Sequence, residues 1–251
     1  MSDIEKVREH WAKRAGSFEK LEWASRHDYL QLVVQAGELQ PTDVVLDGGT
    51  GTGLVANAVA PHVARVIGID ISPEMMDGLK TTRRQNCTFE IEDIRAMKFP
   101  ADYFSKVFAR MVFHELIDGI DKAARECHRV VKPGGKFVLS EGVPPSKATG
   151  DWYTEMFRLK EERLTFFPET LEDLLSRAGF LDIRTRIHIS PQVSIRNWLE
   201  NSGLPPSRQQ KIMQMHLDMP SVVREAYRAT FTDDGDVLVD MKFAIVVGTK
   251  R

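Results

Sequence analysis

An α/β fold, with a parallel sheet covered by helices on both faces, is what the 251-residue sequence predicts. Two observations carry that expectation. From Asp43 to Glu141, apolar runs of strand length alternate with amphipathic segments of helix length, the pattern of a doubly wound sheet with right-handed crossovers. The stretch "VVLDGGTGTG", Val44–Gly53, runs from an apolar strand into an acid and then into glycines, as a strand does when it turns sharply into a helix. The length suits one domain with a sizeable core. A content of 42% hydrophobic and 28% charged residues is ordinary for a globular chain.

Residues 1–40 read as helical, because Trp11, Phe18, Leu21, Leu30, Val33 and Val34 recur at helical spacing among charges. Gly37 and Pro41 end that region. "DVVLD" (Asp43–Asp47) is a strand, "GLVANAVAP" a helix stopped near Pro61, and "RVIGID" (Arg65–Asp70) a strand. "SPEMMDGLKTTRRQ" is a helix that Ser72 is placed to cap, with Pro73 in its first turn. Then follow the strands "CTFEIED" (Cys87–Asp93) and "SKVFARM", the helix "GIDKAARECHRVV", the turn "KPGG" and a fifth strand, "KFVLSE". "DWYTEMFRLKEERL" reads as a helix. So does "PETLEDLLSRAGF", with Pro168 at its start, Leu171, Leu174 and Leu175 on one face and Gly179 as its stop. "LDIRTRIHIS" alternates like a strand, and "VLVDMKFAIVVGTK" is a long last strand. Residues 191–236 between these two are too many for an ordinary connection. They carry Trp198, Leu199, Ile212, Leu217, Val222, Val223 and Tyr227 to bury, and so are expected to fold as a helical insertion. The expected organisation is a helical lid (1–40), a main domain (41–190 with 237–251) and a helical cap over the substrate (191–236).

Composition narrows the function. Lys plus Arg is 34 and Asp plus Glu is 36, a net charge of −2, without the basic excess typical of proteins that bind nucleic acid through its phosphates. Nucleic acid is therefore an unfavoured partner. Two cysteines, Cys87 and Cys127, with no paired spacing, give no reason to expect a metal site. The charged N-terminus does not read as a signal peptide, and no apolar run approaches membrane-spanning length, so the expected location is the cytoplasm.

The glycine loop decides between nucleotide chemistries. A phosphate-binding P-loop would need a lysine after its last glycine; Leu54 follows Gly53 instead. "GTGLVA" (Gly51–Ala56) does fit the dinucleotide fingerprint, with Asp70 about twenty residues on. An NAD-dependent oxidoreductase is therefore one alternative, although no Tyr-xxx-Lys pair supports it. Asp47 points elsewhere. A carboxylate at the end of the first strand would stand against a pyrophosphate but suits a ligand with a cationic end. With Asp70 and Asp93 ending the next two strands, three acids line the crevice where ligands of open α/β sheets lie. Such a set suits an adenosyl ligand with an amino-acid tail and a sulfonium.

These motifs resemble the class I S-adenosylmethionine-dependent methyltransferases, a Rossmann-like family. "VLDGGTGTG" is similar to that family's first motif, hhD-h-G-x-G-x-G, with Gly48 where a larger apolar residue is common. "GIDISPEMM", "EIEDIRAMKFP", "FSKVFARMVFHEL" and "ARECHRVVKPGGKFVLSE" resemble its following units, so the likeness covers Pro41–Glu141 well. One position departs: Ser105 stands where the family often has Asp. The resemblance implies a seven-stranded sheet with an antiparallel last strand, and S-adenosylmethionine as cofactor. It implies a binding set of Asp47, Gly49, Thr50, Gly51, Gly53, Asp70, Ile71, Met75, Asp93, Ile94 and Arg110. In that set Asp70 serves the ribose hydroxyls, Asp93 the adenine amino group and Ile94 the ring face, while Arg110 offers its backbone carbonyl to the methionine amine. "RNWLENSGLP" resembles the insertion of the malonyl-carrier-protein methyltransferases of biotin synthesis. The central unit resembles the ubiquinone and menaquinone biosynthesis group equally, and the choice stays open. "RMVFH" lacks the Asp/Asn-Pro-Pro motif of DNA amino-methyltransferases.

His114 is the candidate catalytic group. It follows the fourth strand, where the crevice of this family opens to substrate, and histidine titrates in the range a general base needs. Glu115 and Glu141 are further candidates for a catalytic role. The expected activity is methyl transfer to a small organic molecule or a carrier-bound acyl group, at oxygen or carbon, without a metal. A non-catalytic protein that retains the cofactor site is a further alternative.

Overall fold

The computed structural model describes Trp11 and residues 20–24, 26–79 and 84–251. The helix expected around Phe18, and the part of the helix expected after Ser72 that covers residues 80–83, lie outside them. The strands are β1 (Val44–Gly48), β2 (Arg65–Asp70), β3 (Cys87–Ile91), β4 (Phe104–Arg110), β5 (Val131–Val143), β6 (Leu181–Ser194), β7 (Thr230–Phe231) and β8 (Val237–Thr249). They form one sheet in the order β3-β2-β1-β4-β5-β8-β6, with β7 on β8. β1 to β5 pair in parallel, whereas β8 runs antiparallel to both β5 and β6. The expected seven-stranded sheet with an antiparallel last strand is present, and the two-residue β7 extends it.

The described helices are α1 (His27–Ala36), α2 (Leu54–Val59), α3 (Pro73–Met76), α4 (Ile120–Val130), α5 (Gly150–Lys160), α6 (Pro168–Arg177), α7 (Ile195–Glu200), α8 (Pro206–Leu217) and α9 (Ser221–Tyr227). Alternate residues of the central strands serve two cores, as the strand period of two requires. Val45, Val66, Phe108 and Val138 pack with α1, α2 and the α7–α9 segment; Leu46, Ile67, Val107 and Leu139 pack with α4 and α6. Strands buried on both faces explain the continuous apolar runs. Within the 191–236 segment, Trp198, Leu199, Ile212, Val223 and Tyr227 join the first core. β6 runs on through Ser194, past the strand end expected at residue 190, and the Ser194 hydroxyl then caps α7 by accepting from Asn197 N at 2.9 Å.

Some local expectations change. "KPGG" is not a plain turn before β5 but an irregularity inside it, where the β4–β5 register shifts between Phe104 and Lys106. A Cβ on Gly135 would lie 2.6 Å from the Ser105 carbonyl oxygen, which is why a glycine is needed there. Ser105 ties β4 to β1, its hydroxyl accepting from Val44 N at 3.3 Å. Ser72 does occupy the N-cap position of α3, but its hydroxyl donates to Glu74 Oε2 at 3.1 Å rather than serving the backbone. α5 stops at Lys160 instead of continuing through Leu164. The chain becomes extended at Glu161, and Leu164 N donates to the His114 carbonyl at 2.8 Å. That turn directs residues 160–163 toward the end of β4. Among the described residues no helix is long and apolar enough to cross a membrane.

Candidate functional site

The glycine loop joins β1 to α2 and is held by the acids at its edges. Asp47, at the end of β1, is buried and accepts at Oδ2 from Thr50 Oγ1 (2.7 Å) and Ala56 N (3.0 Å). Burial pushes its pKa up to about 6 against those two bonds. Asp70, at the end of β2, accepts from Gly51 N and Ser72 N, each at 2.9 Å. Burial raises its pKa too, and the backbone N–H groups oppose that shift. Gly49 and Gly51 are left-handed, at φ +70 and +52. A Cβ on Gly49 would fall 2.2 Å from Val112 Cγ2, so only glycine lets the loop pass the β4 end. Gly48 serves packing: a Cβ there would lie 2.6 Å from Ile94 Cδ1, which accounts for glycine where a larger residue is common.

Asp93 follows β3. Its carboxylate is engaged by Arg95, whose Nη2 is 2.8 Å from Oδ2 and whose backbone N donates to Oδ1 at 2.9 Å. Burial would raise its pKa, but the Arg95 guanidinium and N–H hold it below the usual value. Arg110 ends β4. Its side chain turns away from the loop, lying over Tyr29 at 4.7 Å and donating to the Ala24 carbonyl at 2.7 Å.

A second charged group lies beyond β4. Glu141, fully buried on β5, accepts at Oε1 from Val112 N (3.0 Å) and Phe113 N (2.7 Å). Its Oε2 lies 2.7 Å from His114 Nδ1. The other ring nitrogen, Nε2, stands 3.1 Å from Glu115 Oε1 as an ion pair rather than a hydrogen bond. Burial and Arg163 both disfavour the imidazolium, yet Glu141 and Glu115 outweigh them, and the His114 pKa lies above its ordinary value. Burial would raise the Glu115 carboxyl, but His114 overcomes it, so that pKa is lowered. Both ring nitrogens of His114 thus face carboxylates. Ligand atoms of His114, Glu115 and Glu161 lie within 4.8 Å of one another. Lys160 and Arg163 already pair with Glu161, and His114 with Glu115, so cations of the chain itself balance the carboxylates a metal would use.

One cavity of about 550 Å³ brings these parts together. Asp47, Gly49, Thr50, Gly51, Asp70, Ile71, Met75, Asp93, Ile94, Arg110 and His114 all line it. Gly53 does not. It is the left-handed N-cap of α2 (φ +76), and a Cβ on it would lie 2.4 Å from Leu79 Cδ2, so its missing side chain also serves helix packing. The far wall holds Tyr153, Phe157 and Arg163, which sequence reasoning missed, together with Trp198 and Tyr227 of the 191–236 insertion. Their periodicity marked only helices. Thr52 also lines the cavity, with a buried hydroxyl that has no hydrogen-bond partner among the described residues. Trp11 and Trp23, from the expected lid, reach the same cavity.

Comparison with known proteins is consistent with this geometry. The family model described as a methyltransferase domain matches residues 46–139. The uncharacterized methyltransferase YcgJ of Bacillus subtilis (strain 168) is 25% identical over 230 residues, covering 88% of this chain and 90% of that one. Its crystal structure aligns with a TM-score of 0.80 at 24% identity, over 90% of this chain and 99% of that one. A demethylmenaquinone methyltransferase of Tropheryma whipplei (strain Twist) is 35% identical over 136 residues, 53% of this chain and 54% of its own. A ubiquinone biosynthesis O-methyltransferase of Coxiella burnetii (strain Dugway 5J108-111) is 32% identical over 99 residues, 38% of this chain and 42% of its own. The matches to these two quinone-pathway enzymes thus span about half of their length or less.

Proposed function

The chain belongs to the class I S-adenosylmethionine-dependent methyltransferases, and from that premise we propose that it methylates a small organic molecule or a carrier-bound acyl group, at oxygen or carbon. The observation that carries the proposal is the single cavity. One end holds the glycine loop and strand-end acids, and the other is a chamber walled by aromatic residues under the α7–α9 cap. The names of the two quinone-pathway relatives, one an O-methyltransferase, support a small acceptor.

The residues at the first end fit S-adenosylmethionine, the cofactor of the family. Asp70 would hold the ribose hydroxyls, Asp93 and Ile94 the adenine, and Asp47 with the Gly49–Gly51 turn the amino-acid end. When bound, the cofactor supplies a methyl group made electrophilic by its sulfonium. The chain contributes alignment and exclusion of water, two effects worth several kcal/mol each in well-oriented transfers. The α7–α9 cap is the proposed acceptor cover, and the N-terminal segment that carries Trp11 and Trp23 the proposed lid.

A hydroxyl or carbon acceptor must also lose a proton. His114, fixed through Nδ1 by Glu141, presents Nε2 beside Glu115, and this pair is the proposed proton acceptor. Because the two carboxylates favour the imidazolium, the neutral base grows in only as pH rises above the ordinary histidine value.

The test is transfer of a labelled methyl group from S-adenosylmethionine to a panel of phenols, enols and acyl thioesters. Label in an extractable small molecule or thioester is expected. Label that enters only nucleic acid or the side chains of added protein would refute the acceptor class.

A further inference from the structure

We propose that Arg163 is a specificity residue that receives a carboxylate on an aromatic acceptor, an inference that rests on the methyl-transfer reading above. The Arg163 side chain is only 3% exposed, yet its donors are poorly used. Nη2 is buried without a hydrogen-bond partner among the described residues. Nη1 reaches only an ion pair with Glu161 Oε1 at 3.7 Å, and Nε makes a long 3.4 Å bond to the Leu164 carbonyl. The guanidinium lies over the Phe157 ring, 4.1 Å from its centroid, and forms part of the cavity wall. Stacking fixes the plane of the fork and leaves its edge to make hydrogen bonds.

Charge balance alone does not account for this arrangement. Glu161 already has Lys160 in contact. Arg110, half-buried on the same cavity, also has an Nε without a partner among the described residues, but it places its Nη2 on a backbone carbonyl at 2.7 Å, which Arg163 does not do. A buried charged donor left unmet is costly, and the group that meets a planar two-nitrogen fork best is a carboxylate. The surrounding walls select the rest of the molecule. Phe157, Tyr153, Trp198 and Tyr227 line the chamber, an aromatic wall against which a flat ring can pack. Glu115 Oε1 is buried and faces only His114 Nε2, at 3.1 Å, so a ring hydroxyl set beside that pair would stand on the side where the proton must leave. The ligand class is therefore a hydroxylated aromatic acid, with its carboxylate at Arg163 and its hydroxyl toward Glu115.

The test uses the full chain saturated with S-adenosylhomocysteine and titrates it calorimetrically with 4-hydroxybenzoate and 4-hydroxybenzamide, which differ only in the group that would meet Arg163. The wild-type protein should bind the acid at least tenfold more tightly than the amide. Arg163→Met should abolish that preference, and Arg163→Lys, which keeps the charge but loses the fork, should retain part of it. Equal binding of the two probes by the wild-type protein, no binding of the acid, or an undiminished preference in folded Arg163→Met would overturn the assignment. The wild-type comparison stands even where a variant fails to fold. Titration with S-adenosylhomocysteine alone separates the two levels: no binding removes the methyl-transfer reading, whereas normal binding without a preference for the acid removes only the role of Arg163.

Discussion

Asp47→Asn should make the protein without ligand more stable while weakening its hold on the cofactor. The Asp47 carboxylate is 2% exposed, and burial moves its pKa from 3.8 to about 6. The folded state therefore binds the Asp47 proton more tightly than the unfolded chain does. Below pH 3.8 both states are protonated and nothing is lost. As pH rises toward 6 the folded protein is progressively destabilised, by about 3 kcal/mol in full at 1.36 kcal/mol per tenfold change in proton affinity. Asparagine removes the charge, and its amide oxygen can still accept from Thr50 Oγ1 and Ala56 N. Replacing charge-assisted bonds by neutral ones returns about 1 kcal/mol of the gain, leaving about 2 kcal/mol, a rise in Tm of roughly 4–8 °C for a domain of this size. Scanning calorimetry of both proteins should show the rise at pH 7.5 and almost none at pH 4. Affinity for S-adenosylhomocysteine should fall at least tenfold in the same variant. A lower Tm for the variant at pH 7.5, or an equal rise at both pH values, would refute the reasoning.

Other substitutions probe separate parts of the site. Asp70→Ala should lose at least tenfold in affinity for S-adenosylhomocysteine, about 1.4 kcal/mol; an unchanged Kd in a folded variant would dissociate Asp70 from cofactor binding. Gly49→Ala should destabilise by about 2–4 kcal/mol, from a left-handed backbone and overpacking against Val112. In a double-mutant cycle Val112→Ala should recover the steric part, and strict additivity would contradict the clash. Turnover of the wild-type enzyme should rise with pH through a midpoint above 6.5, the ordinary value for His114, and His114→Gln should lose that limb; an identical pH profile would exclude His114 as the base. The same raised pKa makes a stability contribution from His114 that is full below pH 6.5 and lost as pH climbs through the folded value. The melting difference between wild type and His114→Gln should accordingly shrink from pH 6 to pH 9.

The end of the site proposed for the cofactor was legible because its signals are local. β1 and β2 are apolar strands with an acid at or next to the last residue, Asp47 and Asp70, and topology then puts both acids on one crevice. Gly53 shows the limit of motif reading, since its spacing matches a binding glycine while its missing side chain makes room for Leu79. At the acceptor end only the 191–236 insertion was legible; the contribution of residues 160–163 was not. "KEERL" has the propensity of a helix, and the turn at Glu161 is imposed by a tertiary bond from Leu164 N to the His114 carbonyl. Nothing in the neighbourhood of Arg163 in sequence announces that turn. The state of His114 was hidden for a similar reason, because Glu141, which fixes its ring, is 27 residues away. β7 is two residues long and exposed, too short for alternation to register.

The most direct measurement is calorimetric titration of the purified protein with S-adenosylhomocysteine, and separately with NAD. Asp47 at the head of the glycine loop favours a ligand with a cationic amino group over one with a pyrophosphate. Binding of S-adenosylhomocysteine with a Kd on the order of micromolar, and none of NAD, is the predicted result. Binding of NAD without S-adenosylhomocysteine would contradict the account at its centre.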